Sequence, residues 1–114
     1  MSDKRTLIED GTELKGTLTS NCPIVVMGRV EGELTGPSVE VTETGVLADC
    51  QIAGAGSVTV HGHFFERESP GIVGPREVIV SSKGALVASV EQIAEQTRFA
   101  FERGSRLRLK IIRK

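Results

Sequence analysis

Two histidines, two cysteines and a handful of carboxylates are the side chains of this sequence that could do chemistry. His61 and His63 flank Gly62 in VHGHFF. An imidazole carried on a loop can act as a general base in acyl transfer, but it needs a substrate cleft and an orienting acid. No acid stands near this pair. Cys22, Cys50 and the two histidines could in principle hold zinc, yet their spacings match no zinc-ligand pattern. The cysteines fit neither a Cys-x-x-Cys motif nor a disulfide framework, and a pair of small buried thiols in a reducing compartment accounts for them. GAGS at 54–57 precedes a strand pattern instead of opening a helix, so it is no phosphate loop. Glu9, Asp10, Glu13, Glu31 and Glu33 read as a solvated outer face. The chain therefore reads as a non-enzyme, with no catalytic residue, no metal and no cofactor.

The elements around these residues are short and repetitive. In NCPIVVMGRVEGEL, the residues Ile24, Val26, Gly28, Val30, Gly32 and Leu34 fall on every second position. Val58, Val60, Gly62 and Phe64 repeat the spacing of Ile24, Val26, Gly28 and Val30 at a distance of 34 residues. Glycines stand at 11, 28, 45 and 62, each 17 residues after the last, and again at 84 and 104. Between them a second phrase alternates with the first: VEVTETGVL (Val39, Val41, Gly45, Leu47) and VIVSSKGAL (Val78, Val80, Gly84, Leu86). The first and last units are looser, with Ile8, Gly11, Leu14, Gly16 and Leu18 at one end and Phe99, Phe101, Gly104, Leu107, Leu109 and Ile111 at the other.

Alternation of period two places one face inward and the other in solvent. With Val60 and Phe64 inward, both histidines point outward. A short strand cannot bury its apolar face alone, but coils stacked about 4.8 Å apart form a continuous interior. The pattern predicts an all-β protein, a parallel β-helix (β-solenoid) of about six coils in a single domain over residues 1–114. A β-sandwich of short strands is the alternative fold. A left-handed β-helix acyltransferase is the enzymatic rival, and its rhythm of one apolar residue every six positions is absent. Two segments depart from the repeat. FFERESPGIVGPRE, residues 64–77, reads as a loop protruding from the fourth coil; ALVASVEQIAEQ, residues 85–96, fits a helical face but its place in the repeat favours strands.

Composition agrees. Hydrophobic residues make up 39% of the chain, with no Trp or Tyr and four Phe, which suits a finely divided aliphatic interior. The 14 basic and 15 acidic residues leave a charge of −1, so no basic excess steers the chain onto nucleic acid. MSDKRTLIEDG lacks the apolar stretch of a signal peptide, and no run approaches a transmembrane length, which predicts a cytoplasmic protein.

TLIEDGTELKGTL followed by IVVMGRVEGELTGPSVEVTETGVL resembles the opening of bactofilin domains, a bacterial cytoskeletal family of polymer-forming proteins. The resemblance is carried by Gly11, Gly16 and Leu18, then Val26, Gly28, Arg29, Val30, Glu31, Gly32 and Leu34, then Val39, Val41, Gly45 and Leu47. It covers residues 6–60 and returns over 78–111. It implies a right-handed β-helix that polymerises end to end without nucleotide into scaffolds for cell shape, or for placing cell-wall and membrane-associated partners, often at the inner face of the membrane. The segment at 64–77 and the near absence of tails depart from the family's pattern.

Independently of family, a solenoid has two ends, and each exposes unpaired backbone and apolar side chains unless a cap covers it. No capping segment is evident here. Leu7, Ile8, Leu14 and Leu18 at the first coil, and Phe99, Phe101, Leu107, Leu109 and Ile111 at the last, are the candidate self-assembly residues. The competing function is a monomeric solenoid adaptor whose 64–77 loop offers Phe64, Phe65, Ile72 and Val73 to a partner. Arg103, Arg106, Arg108, Lys110, Arg113 and Lys114 surround the last apolar set. Outward charges there limit sideways pairing of an edge strand, or meet an acidic partner surface or an anionic membrane.

Overall fold

The computed structural model describes residues 6–53, 56–66, 71–73, 75–92 and 98–113, with the backbone alone for residues 92 and 111–113. In chain order the strands are β1 (Thr6–Ile8), β2 (Glu13–Thr19), β3 (Ile24–Val26), β4 (Arg29–Thr35), β5 (Ser38–Val41), β6 (Val46–Ala53) and β7 (Ser57–Val60). They continue with β8 (His63–Glu66), β9 (Ile72–Val73), β10 (Glu77–Val80), β11 (Ala85–Gln92), β12 (Arg98–Phe101) and β13 (Arg106–Arg113). No helix occurs among the described residues.

The strands alternate between two sheets. The first runs β1-β3-β5-β7-β10-β12; the second runs β2-β4-β6-β8-β11-β13, with β9 bridging β6 and β11. Every pairing is parallel. A sandwich of hairpins would pair its strands antiparallel, so this is a β-solenoid, of about five turns. Residues 85–92 of the ambiguous segment are strand; residues 93–97 lie outside the described residues.

The alternating apolar pattern becomes columns. In the first sheet, Ile24, Val39, Val58 and Val78 stack in register with Phe99, and Val26, Val41, Val60 and Val80 run from Ile8 to Phe101. In the second, Leu14, Val30, Leu47, Phe64, Leu86 and Leu107 form one column, and Leu18, Leu34, Ile52, Ile72 and Val90 another. The inner members from Val26 to Val90 are wholly buried, each packed by the coils above and below.

The two alternating phrases correspond to two corners. Met27-Gly28 and His61-Gly62 join the sheets in two residues, whereas Thr42–Gly45 and Ser81–Gly84 take four. Each four-residue corner closes on itself, Gly45 N donating to Thr42 O at 2.8 Å and Gly84 N to Ser81 O at 2.8 Å. The corners also stack. The carbonyls of Gly28, Gly45, Gly62 and Gly84 accept from Val46, His63, Ala85 and Arg106, each on the next coil, at 2.8–3.1 Å. A β-carbon on Gly62 would overlap the carbonyl oxygens of Thr42 and Gly45 beneath it. Glycine is required there for close approach. Gly11 and Gly104 also stand at corners but in a different role: they have φ of +90° and +95° in exposed turns, one position earlier in the corner.

The segment at 64–77 is strand in part, and two of its four candidate partner-loop residues are corrected. It contributes β8, β9 and the start of β10, and both Phe64 and Ile72 are wholly buried core residues that no partner can reach. Residues 67–70 and 74 lie outside the described residues. Between β8 and β9, the Glu66 carboxylate takes the place of a neighbouring strand: it accepts from Ser89 N at 2.5 Å and Ser89 Oγ at 3.1 Å.

Two stability outcomes follow. Gly62→Ala should destabilise by about 2 kcal/mol or more, because the corner must shift away from two carbonyls, whereas Gly56→Ala, in ordinary contact distance of Pro37, should change little. Thermal melts followed by circular dichroism compare them, and equal melting temperatures would refute the stacked-corner account. Glu66→Ala should cost about 1–3 kcal/mol by leaving the Ser89 amide without a partner.

Candidate functional site

The interior columns run out to both ends of the solenoid, and the candidate site lies there. At the C-terminal end, β12 and β13 each have one neighbour, β10 and β11. Phe99, Leu107 and Leu109 pack against the core on one side and are half-buried, while Phe101 is 39% exposed. The two phenyl rings lie 5.8 Å apart and tilted, a favourable aromatic geometry that holds them as one apolar face. Ile111 pairs with Val90 by its backbone; its side chain is outside the described residues. At the N-terminal end, Ile8 is buried and Leu14 and Leu18 are half-buried. Leu7 is a correction: it is 50% exposed and points outward, because it falls between the inward positions Thr6 and Ile8. Thr6 fills the column below Ile24, its hydroxyl 2.7 Å from that of Ser20.

The outer face of the second sheet carries a feature that motif reasoning overlooked. Toward the C-terminal coils, a concavity of about 830 Å³ is lined by His63, Phe65, Lys83, Val87, Arg106 and Arg108 among others. Phe65 is 38% and Val87 36% exposed, side by side in register, and His63 stacks on Phe65 at 6.0 Å. Toward the N-terminal coils, a smaller concavity is lined by Lys15, Glu31, Glu33 and Asp49 with Gly16 and Gly32 at its floor. Arg29 and Lys15 reach Glu31 at 3.0 and 3.9 Å, exposed pairs worth about 0–1 kcal/mol each.

A bulge shapes this second concavity. Leu47 and Cys50, both inward, are three residues apart, and Asp49 takes φ of +53° to fit Ala48 and Asp49 opposite one residue of each neighbour. The broken period was visible in GVLADCQI. The bulge turns Cys50 into the core, where its thiol donates to Val30 O at 2.9 Å and burial pushes its pKa up to about 11. Cys22, expected to be buried, is only half-buried.

The histidines lie on the outside, His61 half-buried and His63 exposed, and no carboxylate hydrogen-bonds either ring among the described residues. Among the same residues no group of three or more His, Cys, Asp or Glu is placed to hold a metal. No protein-family model matches the chain, and no curated protein or solved structure matches it.

The two thiols should separate chemically. At pH 8 a thiol reagent should modify Cys22 in the folded protein and spare Cys50 until unfolding, because only a thiolate reacts and Cys50 stays protonated in the core. A folded-state pKa raised from 9.0 means that the native state holds its proton longer than the unfolded chain, so stability should fall as pH climbs from 9.0 toward about 11. Cys50→Ala should flatten that slope; an unchanged slope would assign it elsewhere.

Proposed function

We propose that this protein is a self-assembling structural element of the bactofilin kind, which stacks end to end into filaments without nucleotide and serves as a scaffold. The observation that carries this reading is the pair of uncovered column ends. Phe99, Phe101, Leu107 and Leu109 at one end, and Leu14 and Leu18 at the other, are partly exposed inward-facing residues that a further coil would bury, while Ile8 is already buried. Among the described residues, the edge strands β1, β2, β12 and β13 each present a row of backbone groups with no strand beyond it, the same ladder that joins the coils internally.

Magnitudes support assembly. An end face of ~400 Å² on each partner gives roughly 20 kcal/mol gross at ~25 cal/mol per Å², against association costs of about 4–15 kcal/mol. The resemblance of GRVEG at Gly28–Gly32 and its surroundings to bactofilins supports the same function, a cytoplasmic scaffold whose first partner is its own copy and whose other partners are cell-wall or membrane-associated proteins. No helix among the described residues is long and apolar enough to cross a membrane. The adaptor reading loses ground because Phe64 and Ile72, two of its four anchors, are core residues.

Negative-stain electron microscopy of the purified protein, without nucleotide, tests the reading. Wild type should form uniform thin filaments, and Phe101→Arg should give folded, discrete particles, since a charge would have to be buried at the junction. Discrete wild-type particles at every salt concentration would overturn the proposal, and intact filaments of the variant would remove Phe101 from the contact.

A further inference from the structure

The basic side chains of the last coils, which end-to-end stacking leaves unused, gather around the larger concavity on the outer face of the second sheet. The strands β8, β11 and β13 begin side by side at one corner, so that His63, Ala85 and Arg106 form one outward rung and Phe65, Val87 and Arg108 the next. Ala85 is only 9% exposed between an exposed histidine and an exposed arginine, and with the buried Gly84 it makes a recessed floor. Lys83 stands on the corner beside it, and the space is about 830 Å³, within the ~300–1,000 Å³ of ligand sites. No carboxylate is found among the described lining residues. Arg106 and Arg108 make no ion pair among the described residues, and neither does Glu102 on the last corner. Lys83 meets Glu43 at 3.4 Å, an exposed pair that a ligand carboxylate can replace. Residues 67–70, outside the described residues, follow the opposite end of β8.

We propose that this concavity is a docking site for an extended acidic segment of a partner protein, with carboxylates at alternate positions and an apolar side chain beside them. The spacing supplies the reason. Arg106 and Arg108 are two residues apart on a strand, about 6.6 Å, which is also the separation of alternate side chains in an extended peptide. Each guanidinium can take a carboxylate with two parallel hydrogen bonds, and clusters of arginine are a recurring way of reading acidic segments. Lys83 adds a third cation and the His63 imidazole a hydrogen-bond donor at the corner. The apolar side chain belongs on Phe65 and Val87, which are 38% and 36% exposed and in register with each other and with Arg108.

The recessed floor favours a peptide over an anionic bilayer, since a flat headgroup surface cannot descend to Ala85, whereas a single chain can. The size of the space favours it over a lone inorganic anion, which leaves Phe65 and Val87 uncovered. End-to-end stacking adds a coil beyond the edge of β13 and leaves the outer face open, so filament and peptide do not compete for the same surface. That the segment belongs to a client of a scaffold rests on the proposed function; capture of the segment does not. A single site of this size binds weakly and with dependence on salt, and a filament carrying one site per subunit holds a multivalent partner avidly.

Fluorescence anisotropy tests the site with a dye-labelled synthetic peptide that carries glutamate at alternate positions and one phenylalanine beside them. The salt is held near 0.15 M, where the Debye length of about 8 Å limits the reading to nearby charges. Wild type and Phe101→Arg should both bind, so that a failure of end stacking and a failure of this site are read separately. Arg106→Glu with Arg108→Glu should raise the Kd by about tenfold or more. Lys15→Glu with Arg29→Glu, the same charge change on the N-terminal coils of the same face, should alter it by less than about twofold. Ala85→Leu, which fills the floor at unchanged charge, should weaken binding, and so should glutamine in place of the peptide's glutamates. Circular dichroism checks that each variant is folded; an unfolded charge reversal is replaced by Arg106→Gln with Arg108→Gln, and an unfolded Ala85→Leu by Val87→Glu, each expected to weaken binding. No binding of the peptide, equal loss from the distant reversal, or binding indifferent to the floor substitution would each overturn the proposal. Capture of phosphatidylglycerol vesicles without capture of the peptide would overturn it in favour of a membrane surface.

Discussion

The structure depends on the hydrogen bonds that one coil makes with the next. Parallel strands of two to eight residues have no partner within their own coil, so each backbone is satisfied only by the coil before it and the coil after it. Close stacking is possible only where nothing stands between the coils. That is why Gly28, Gly45, Gly62 and Gly84 sit at the corners, with the carbonyl of each receiving an amide of the next coil. The same constraint gives the interior its columns, since residues held at one spacing in every coil must lie directly over one another.

A ladder of this kind has no internal reason to stop. The apolar columns ending at Phe99, Phe101 and Leu107 keep the register of the middle of the molecule, and among the described residues no further coil covers them. What serves as core within the chain is left partly exposed at its ends, and the proposed assembly would bury it. The outer face obeys different physics: its residues are free of the packing constraint, so charge can be distributed along it, and here the basic residues gather at β13 and the acidic ones at β2, β4 and β6.

Much of this was legible in the residue order. The period-two runs at 24–34 and 57–64 announced parallel rungs, and the glycines at 28, 45, 62 and 84 announced the corners. Other features escaped for definite reasons. Gly11 and Gly104 stand at corners like the other glycines but serve as positive-φ turns, one position earlier in the corner. FFERESPGIVGPRE looked like a loop because its prolines and glycines dominate the local pattern, yet Phe64 and Ile72 stay in register with Leu47 and Ile52. Leu7 looked apolar and terminal, but parity turns it outward.

The sequence by itself determined the all-β class, the stacked repeat and the division of each strand into an inner and an outer face. It could do so because period, glycine spacing and turn composition are local properties that every coil repeats. Only the tertiary structure decided the registers between coils, and with them which glycines touch a carbonyl, how the bulge at Ala48-Asp49 sends Cys50 inward, and how Glu66 caps the amide of Ser89. Those outcomes join residues 16 to 23 positions apart through contacts that no local pattern encodes.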